Sequence, residues 1–188
     1  MNIFFLSWDP EEAAKYHCNS HVVKMITESA QMLSTAHWVC LLRSKGKELH
    51  DFDRVKDCKE WLYFHIEREK RPPLKLSFVN HPMNIWVRET LDNYDWLCQL
   101  GTSLGEEFKK RYKKSHKSSN YINWLSNNKP IGLKYSKLTN PPLCMPNECK
   151  INNEIIDSYQ NFYVQKKTFA KWEPRAKTPV WYQSLKKR

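Results

Sequence analysis

The sequence predicts an all-α fold, one compact domain over residues 1–188 made of about five helices joined by long ordered loops. Three observations predict it. Only four of the 188 residues are glycine, which disfavours a turn-rich β sandwich. Apolar residues recur at helical spacings of three and four along most of the chain. Helix start and stop residues bracket those runs.

The elements follow in order. NIFFL near the start is a strand or an extended segment buried against another element. DPEEAAKYH opens a helix, with Asp9 as N-cap, Pro10 at the first position and acids in the first turn. Asn19 or Ser20 caps a second helix over about 20–43, or the two run together. Its apolar face is Val22, Val23, Ile26, Ala30, Leu33 and Ala36, and SKGK ends it. DFDRVKDCKEWLYFHIEREK is another helical run, stopped at Pro72 and Pro73. LKLSFVNHP is a loop or a brief strand. From Pro82 a long helix runs to about Lys114, with Trp86, Leu91, Trp96, Leu100, Leu104 and Phe108 on its core face. SSNYINWLSNN is a short helix. Residues 129–150 hold four prolines and little periodicity, as expected of a long ordered loop. Asn152 or Asn153 caps a last helix, NEIIDSYQNFYVQKKTFAKW. The tail, EPRAKTPVWYQSLKKR, is broken by proline, aromatic and basic.

Charge narrows the partners. Thirty-one Lys and Arg stand against 20 Asp and Glu, a net charge of +11. Such a surplus predicts a polyanion partner, nucleic acid before an anionic membrane, unless it serves only solubility. The six cysteines form no C-x-x-C pair and read as reduced core thiols of an intracellular protein. MNIFFLSWDPEE lacks the basic and small-residue features of a signal peptide. No apolar run approaches the length that spans a membrane.

YHCNSHVVKMITESAQ spaces His17, His21, Lys24, Glu28 and Gln31 by four, three, four and three. On one helix they form a single stripe. A solvated face, a metal site and a catalytic face all fit this pattern. As a catalytic face, Glu28 is a general acid/base or cation stabiliser, and His17 and His21 shuttle protons or orient it. As a metal site, His17, His21 and Glu28 offer His₂Glu to zinc, although Cys18 stands where H-E-x-x-H has glutamate.

Other residues point to phosphate. NHPMNIWVRE puts His81 and Arg88 near a helix start, where an anion can bind; a capping His81 and a surface-paired Arg88 fit equally. KKRYKKSHKSS carries Arg111, Lys113, Lys114 and Lys117, as phosphate contacts or as a solvated helix end. Trp181 and Tyr182 either stack on bases or clasp the carboxy-terminal end to the core.

SHVVKMITE resembles a helix of the phage pyrimidine-dimer DNA glycosylases, the endonuclease V type, in which a histidine precedes the catalytic glutamate by seven positions. Here these are His21 and Glu28. HPMNIWVRETLDNYDWLCQLGTSLGEEFKKRY is similar to that family's long second helix, and TPVWYQSLKK to its carboxy-terminal Pro-x-Trp-Tyr segment. Together the three motifs cover under half the chain. Phage and large-virus proteins of unassigned activity resemble it throughout.

The resemblance implies a helical monomer without cofactor, combining DNA glycosylase and AP-lyase activities on damaged or modified bases in duplex DNA. In that family an N-terminal α-amine attacks C1′ and forms a Schiff base, while the glutamate stabilises the cationic intermediate. An α-amine, with a pKa near 7.7–8.0, is partly neutral at pH 7, unlike a lysine amine near 10.4. Asn2 stands where the family exposes threonine, so the amine here would be that of Met1. Thr27 replaces the arginine before the glutamate, and residues 45–80 have no counterpart.

The expected catalytic set is Glu28, His21, His17, Lys24 and Met1, with no metal. The expected nucleic-acid-binding set is His81, Arg88, Arg111, Lys113, Lys114 and Lys117. No membrane partner is expected, and the setting implied is the cytoplasm of a host cell carrying a phage or virus. Two rival functions use the same residues or fewer. One is a virus-encoded hydrolase or transferase acting on the N-glycosidic bond of a free nucleotide or nucleoside, with Arg88 and Lys114 on phosphate. The other is a non-catalytic nucleic-acid-binding protein.

Overall fold

The computed structural model describes residues 2–187 and is all-helical, with no strand among them. Eight α-helices are present among these residues: α1 Pro10–Tyr16, α2 Asn19–Ser44, α3 Val55–His65, α4 Pro82–Val87, α5 Leu91–Tyr112, α6 Lys117–Asn127, α7 Ile155–Lys166 and α8 Val180–Lys186. The excess over about five comes from short pieces. α1, α4 and α8 are seven, six and seven residues long.

α1 forms as its sequence dictates. The Asp9 carboxylate accepts from the N–H groups of Glu11 and Glu12 at 2.8 and 3.4 Å, and Pro10 takes the first helical position. The helix stops at Tyr16. His17 and Cys18 are extended, with ψ of 134° and 163°, before α2 begins. The expected five-residue stripe is thus broken, because His17 sits in the connector and only His21 onward lies on α2.

The expected helix from Pro82 to about Lys114 is two helices. Arg88 closes α4 at φ −104°, ψ 12°, and Thr90 turns extended to cap α5, its hydroxyl accepting from Asn93 N at 3.1 Å. Asn93 Nδ2 in turn donates to the Trp86 carbonyl at 2.9 Å, which also accepts from Glu89 N at 3.1 Å. The break lets two helices share one anchor: Phe5 stacks on Trp96 at 4.0 Å and meets Trp86 edge-on at 5.2 Å.

α2 is the axis of the fold. It packs on α4, α5 and α6, while α1 lies on α5. Close approach of α5 and α6 needs the two glycines of α5. A Cβ on Gly101 would stand 2.8 Å from the Ile122 side chain, and one on Gly105 would stand 2.8 Å from Ser119 Oγ. The main core joins the 2–6 segment, the first half of α2, α4, α5, α6, α7 and the tail. A second cluster surrounds the far end of α2. There Trp38, Val39 and Leu42 meet Cys58 and Leu62 of α3 together with Ile66, Leu76 and Val79.

The last expected helix is shorter than its sequence run. Glu154 is its N-cap, because Asn152 and Asn153 both adopt positive φ (43° and 61°) in the preceding turn. The tail clasps the core, with Tyr182 buried against Trp172 at 4.7 Å and Trp181 edge-on to Tyr16 and Tyr163. All six cysteines are free. No described helix is long and apolar enough to cross a membrane.

Candidate active site around Glu28

Residues 2–6 form an irregular segment between α2 and α7, with Leu6 N–H donating back to the Phe4 carbonyl at 3.0 Å. Asn2 N–H donates to Glu28 Oε2 at 2.8 Å, and Gln160 of α7 donates to the Leu6 carbonyl at 3.1 Å. Glu28 is 8% exposed. Its other oxygen is 3.1 Å from Lys24 Nζ, one helical turn earlier on α2. The Asn2 side chain bridges to the Cys144 carbonyl at 3.0 Å, so the 129–150 loop also borders the carboxylate. Adjacent to it, Thr27 Oγ1 meets Ser118 Oγ at 3.0 Å. That contact brings the start of α6, with exposed Lys117, alongside α2. Met1 lies outside the described residues.

His21 is two turns from Glu28, roughly 10 Å along the axis. Its ring stacks on Phe4 at 4.7 Å, and its Nδ1 shares a 2.6 Å hydrogen bond with the Tyr163 hydroxyl. Burial, with His17, Lys167 and Lys24 nearby, lowers its pKa to about 3. His17 is fully buried. Its Nδ1 lies 2.6 Å from the Ala13 carbonyl, an acceptor only, so Nδ1 carries the proton. Burial lowers the His17 pKa to about 4. Both histidines are therefore neutral aromatic packing at pH 7, and neither bonds Glu28. Among the described residues no three His, Cys, Asp or Glu side chains gather as metal ligands do.

The expected phosphate set divides. His81 is the N-cap of α4, its Nδ1 accepting from Met83 N at 3.2 Å, and it lies within electrostatic reach of Glu28. Arg88 is elsewhere. It is 8% exposed and faces Cys40 and Arg43, residues roughly 18 Å or more along α2 from Glu28. His81 and Arg88 therefore do not form one clamp, because the break after Val87 turns Arg88 inward.

Arg111 departs most from its expected role. Its side chain is fully buried, and it donates to Glu107 Oε2 (2.8 Å), the His17 carbonyl (2.7 Å) and the Lys15 carbonyl (3.0 Å). It ties α5 to the α1–α2 connector and offers nothing to a ligand. Lys113, Lys114 and Lys117 are exposed.

Sequence patterns missed Asn2, Phe4, Tyr163 and Lys167 as neighbours of this site. The Lys167 ammonium lies 4.5 Å from the Phe162 ring centre and 5.6 Å from that of Phe4. Desolvation and the charge of Lys24 lower its pKa, although Cys18, Cys149 and Glu28 oppose the shift. A lysine beside two phenylalanines separated by 158 positions leaves no local signal.

No family model, no curated protein and no solved structure matches this chain.

Proposed function

We propose that this protein is a DNA N-glycosylase acting, as a monomer, on damaged or modified bases in duplex DNA. Glu28 is its charge-stabilising carboxylate. One observation carries the reading: Glu28 is almost fully buried, yet fixed on both oxygens, by Asn2 N–H and by Lys24. A carboxylate held in place before the reaction is what a developing positive charge at C1′ requires. Lys24 beside it, and the exposed lysines of the α5–α6 edge (Lys113, Lys114 and Lys117), suit a phosphate backbone bordering an extruded base.

A free-nucleotide hydrolase would need Arg88 beside Glu28, and Arg88 lies toward the other end of α2. The non-catalytic binder is separated by turnover. The test is single-turnover base release from duplexes carrying pyrimidine dimers or other modified bases. Glu28→Gln keeps the shape and removes the charge. Release should fall by roughly two to three decades while duplex affinity holds. Equal turnover by the variant, or no release from any duplex by the wild type, would sink the proposal.

A further inference from the structure

We infer that Lys167 is the catalytic amine of this site, the nucleophile that forms a covalent imine with the deoxyribose. The inference rests on the glycosylase reading of Glu28 and adds to it the group that attacks C1′.

Lys167 closes α7, and its Nζ reaches back over the rings of Phe162 and Phe4. Phe4 also stacks on His21 and stands two residues beyond Asn2, whose N–H holds Glu28. The 2–6 segment thus brings the amine and the carboxylate to the same face of α2. Lys167 is half-buried, so a ligand can reach it.

Seven other described lysines lie within ion-pair distance of a carboxylate: Lys15, Lys24, Lys56, Lys70, Lys110, Lys129 and Lys166. Lys167 has no such partner among the described residues, and its neighbour Lys166 takes Glu148 at 2.9 Å. A carboxylate in contact would favour the ammonium and remove the lone pair that attacks. Lys24 is the other amine beside Glu28, but it is ion-paired to that residue and its side chain is 66% exposed. Partial burial without a carboxylate partner is the arrangement that activates a lysine, and the downward shift of Lys167 agrees with it.

In the reaction the neutral Nζ lone pair forms a bond to C1′. The C1′–N glycosidic bond breaks, its electron pair leaves with the base, and the base takes up the proton that Nζ releases. The remaining nitrogen lone pair then forms C1′=N⁺ as the C1′–O4′ bond opens, with O4′ taking a proton from water. Glu28 faces the positive charge at each stage. Borohydride delivers hydride to C1′ and fixes the bond as a secondary amine.

The experiment uses the full chain and a duplex containing an abasic site. The duplex is trapped with borohydride, and the adduct is mapped by digestion and mass spectrometry. The adduct should lie on Lys167. Lys167→Met and Lys167→Arg should both lose it while keeping the wild-type melting temperature and duplex affinity. The arginine variant separates nucleophilicity from charge. Lys166→Arg, and protein acetylated at its N-terminal amine, should still trap. An adduct on the N-terminal amine or on another lysine overturns the inference. Base release from the duplexes carrying damaged or modified bases, without any adduct on the abasic duplex, overturns it too and leaves the Glu28 reading standing. Neither release nor adduct overturns both.

Discussion

At the scale of single residues, Arg111 is the side chain whose environment most changes its meaning. A guanidinium with two backbone carbonyls and a buried carboxylate as partners contributes to folding, and its charge is not available to phosphate. Arg111→Met should therefore lower stability by about 3–5 kcal/mol, because Glu107 is left buried without its main partner. The affinity of the folded fraction for DNA should not change. Urea unfolding beside a binding isotherm measures both. A variant of wild-type stability with weakened DNA binding would return Arg111 to the phosphate set. Composition could not reveal this, since a basic run looks the same whether its third residue points outward or is buried.

At the scale of elements, the basic end of α5 and the start of α6 make one exposed cationic edge. Lys113 ends α5 in the left-handed conformation at φ 56°, which separates it from the buried side of Arg111. Lys113, Lys114 and Lys117 changed together to Ala should weaken binding to every duplex sequence alike. The salt dependence should flatten by about one unit for each phosphate that is no longer neutralised. An unchanged salt slope would mean that this edge does not touch DNA.

Much of the helical order was legible in the sequence. Asp9-Pro10 marks α1, and the period from Val22 to Ala36 gives α2 nearly to its ends. Pro82 opens α4, and the proline-rich 129–150 stretch is indeed free of α-helix. What stayed hidden was local capping inside an unbroken apolar period. Thr90 splits the long helix although Val87, Leu91 and Tyr94 keep helical spacings of four and three across it. His17 keeps the spacing of the stripe although two extended residues intervene. Spacing reports which residues share a face of a helix but cannot tell whether the helix continues. Of the candidate site, Glu28, His21 and Lys24 came from that spacing. Asn2 and Lys167 reach the site from the two ends of the chain, where only folding brings them together.

At the scale of the whole molecule, three histidines link stability to acid. His17 and His37 have pKa values lowered to about 4 and His21 to about 3, in each case chiefly by burial. Each binds a proton more weakly folded than unfolded. Their contribution is complete above the unfolded value of about 6.5 and diminishes as pH falls toward 4 and 3. Below about pH 6.5 each histidine should remove up to about 1.4 kcal/mol per pH unit. Urea midpoints measured at several pH values should fall steadily on acidification and stay level just above neutrality with respect to these groups. A midpoint unchanged between about pH 7 and pH 5 would show that these side chains are not buried neutral.

The second cluster at the far end of α2 bears on how such a chain can change over descent. The excursion from Ser44 to Pro82 leaves the main body at that end, with its own small core of Leu62, Ile66, Leu76 and Val79 against Trp38, and rejoins it at His81, within electrostatic reach of Glu28. Doubling the length of a flexible loop adds only about 0.6 kcal/mol in closure entropy. Insertions and losses between Ser44 and Val55 therefore act on the last turns of α2, while Asn2 holds Glu28 toward the other end of the helix. Length variation in that loop is thus set apart from the buried carboxylate, and one uninterrupted helix joins the two.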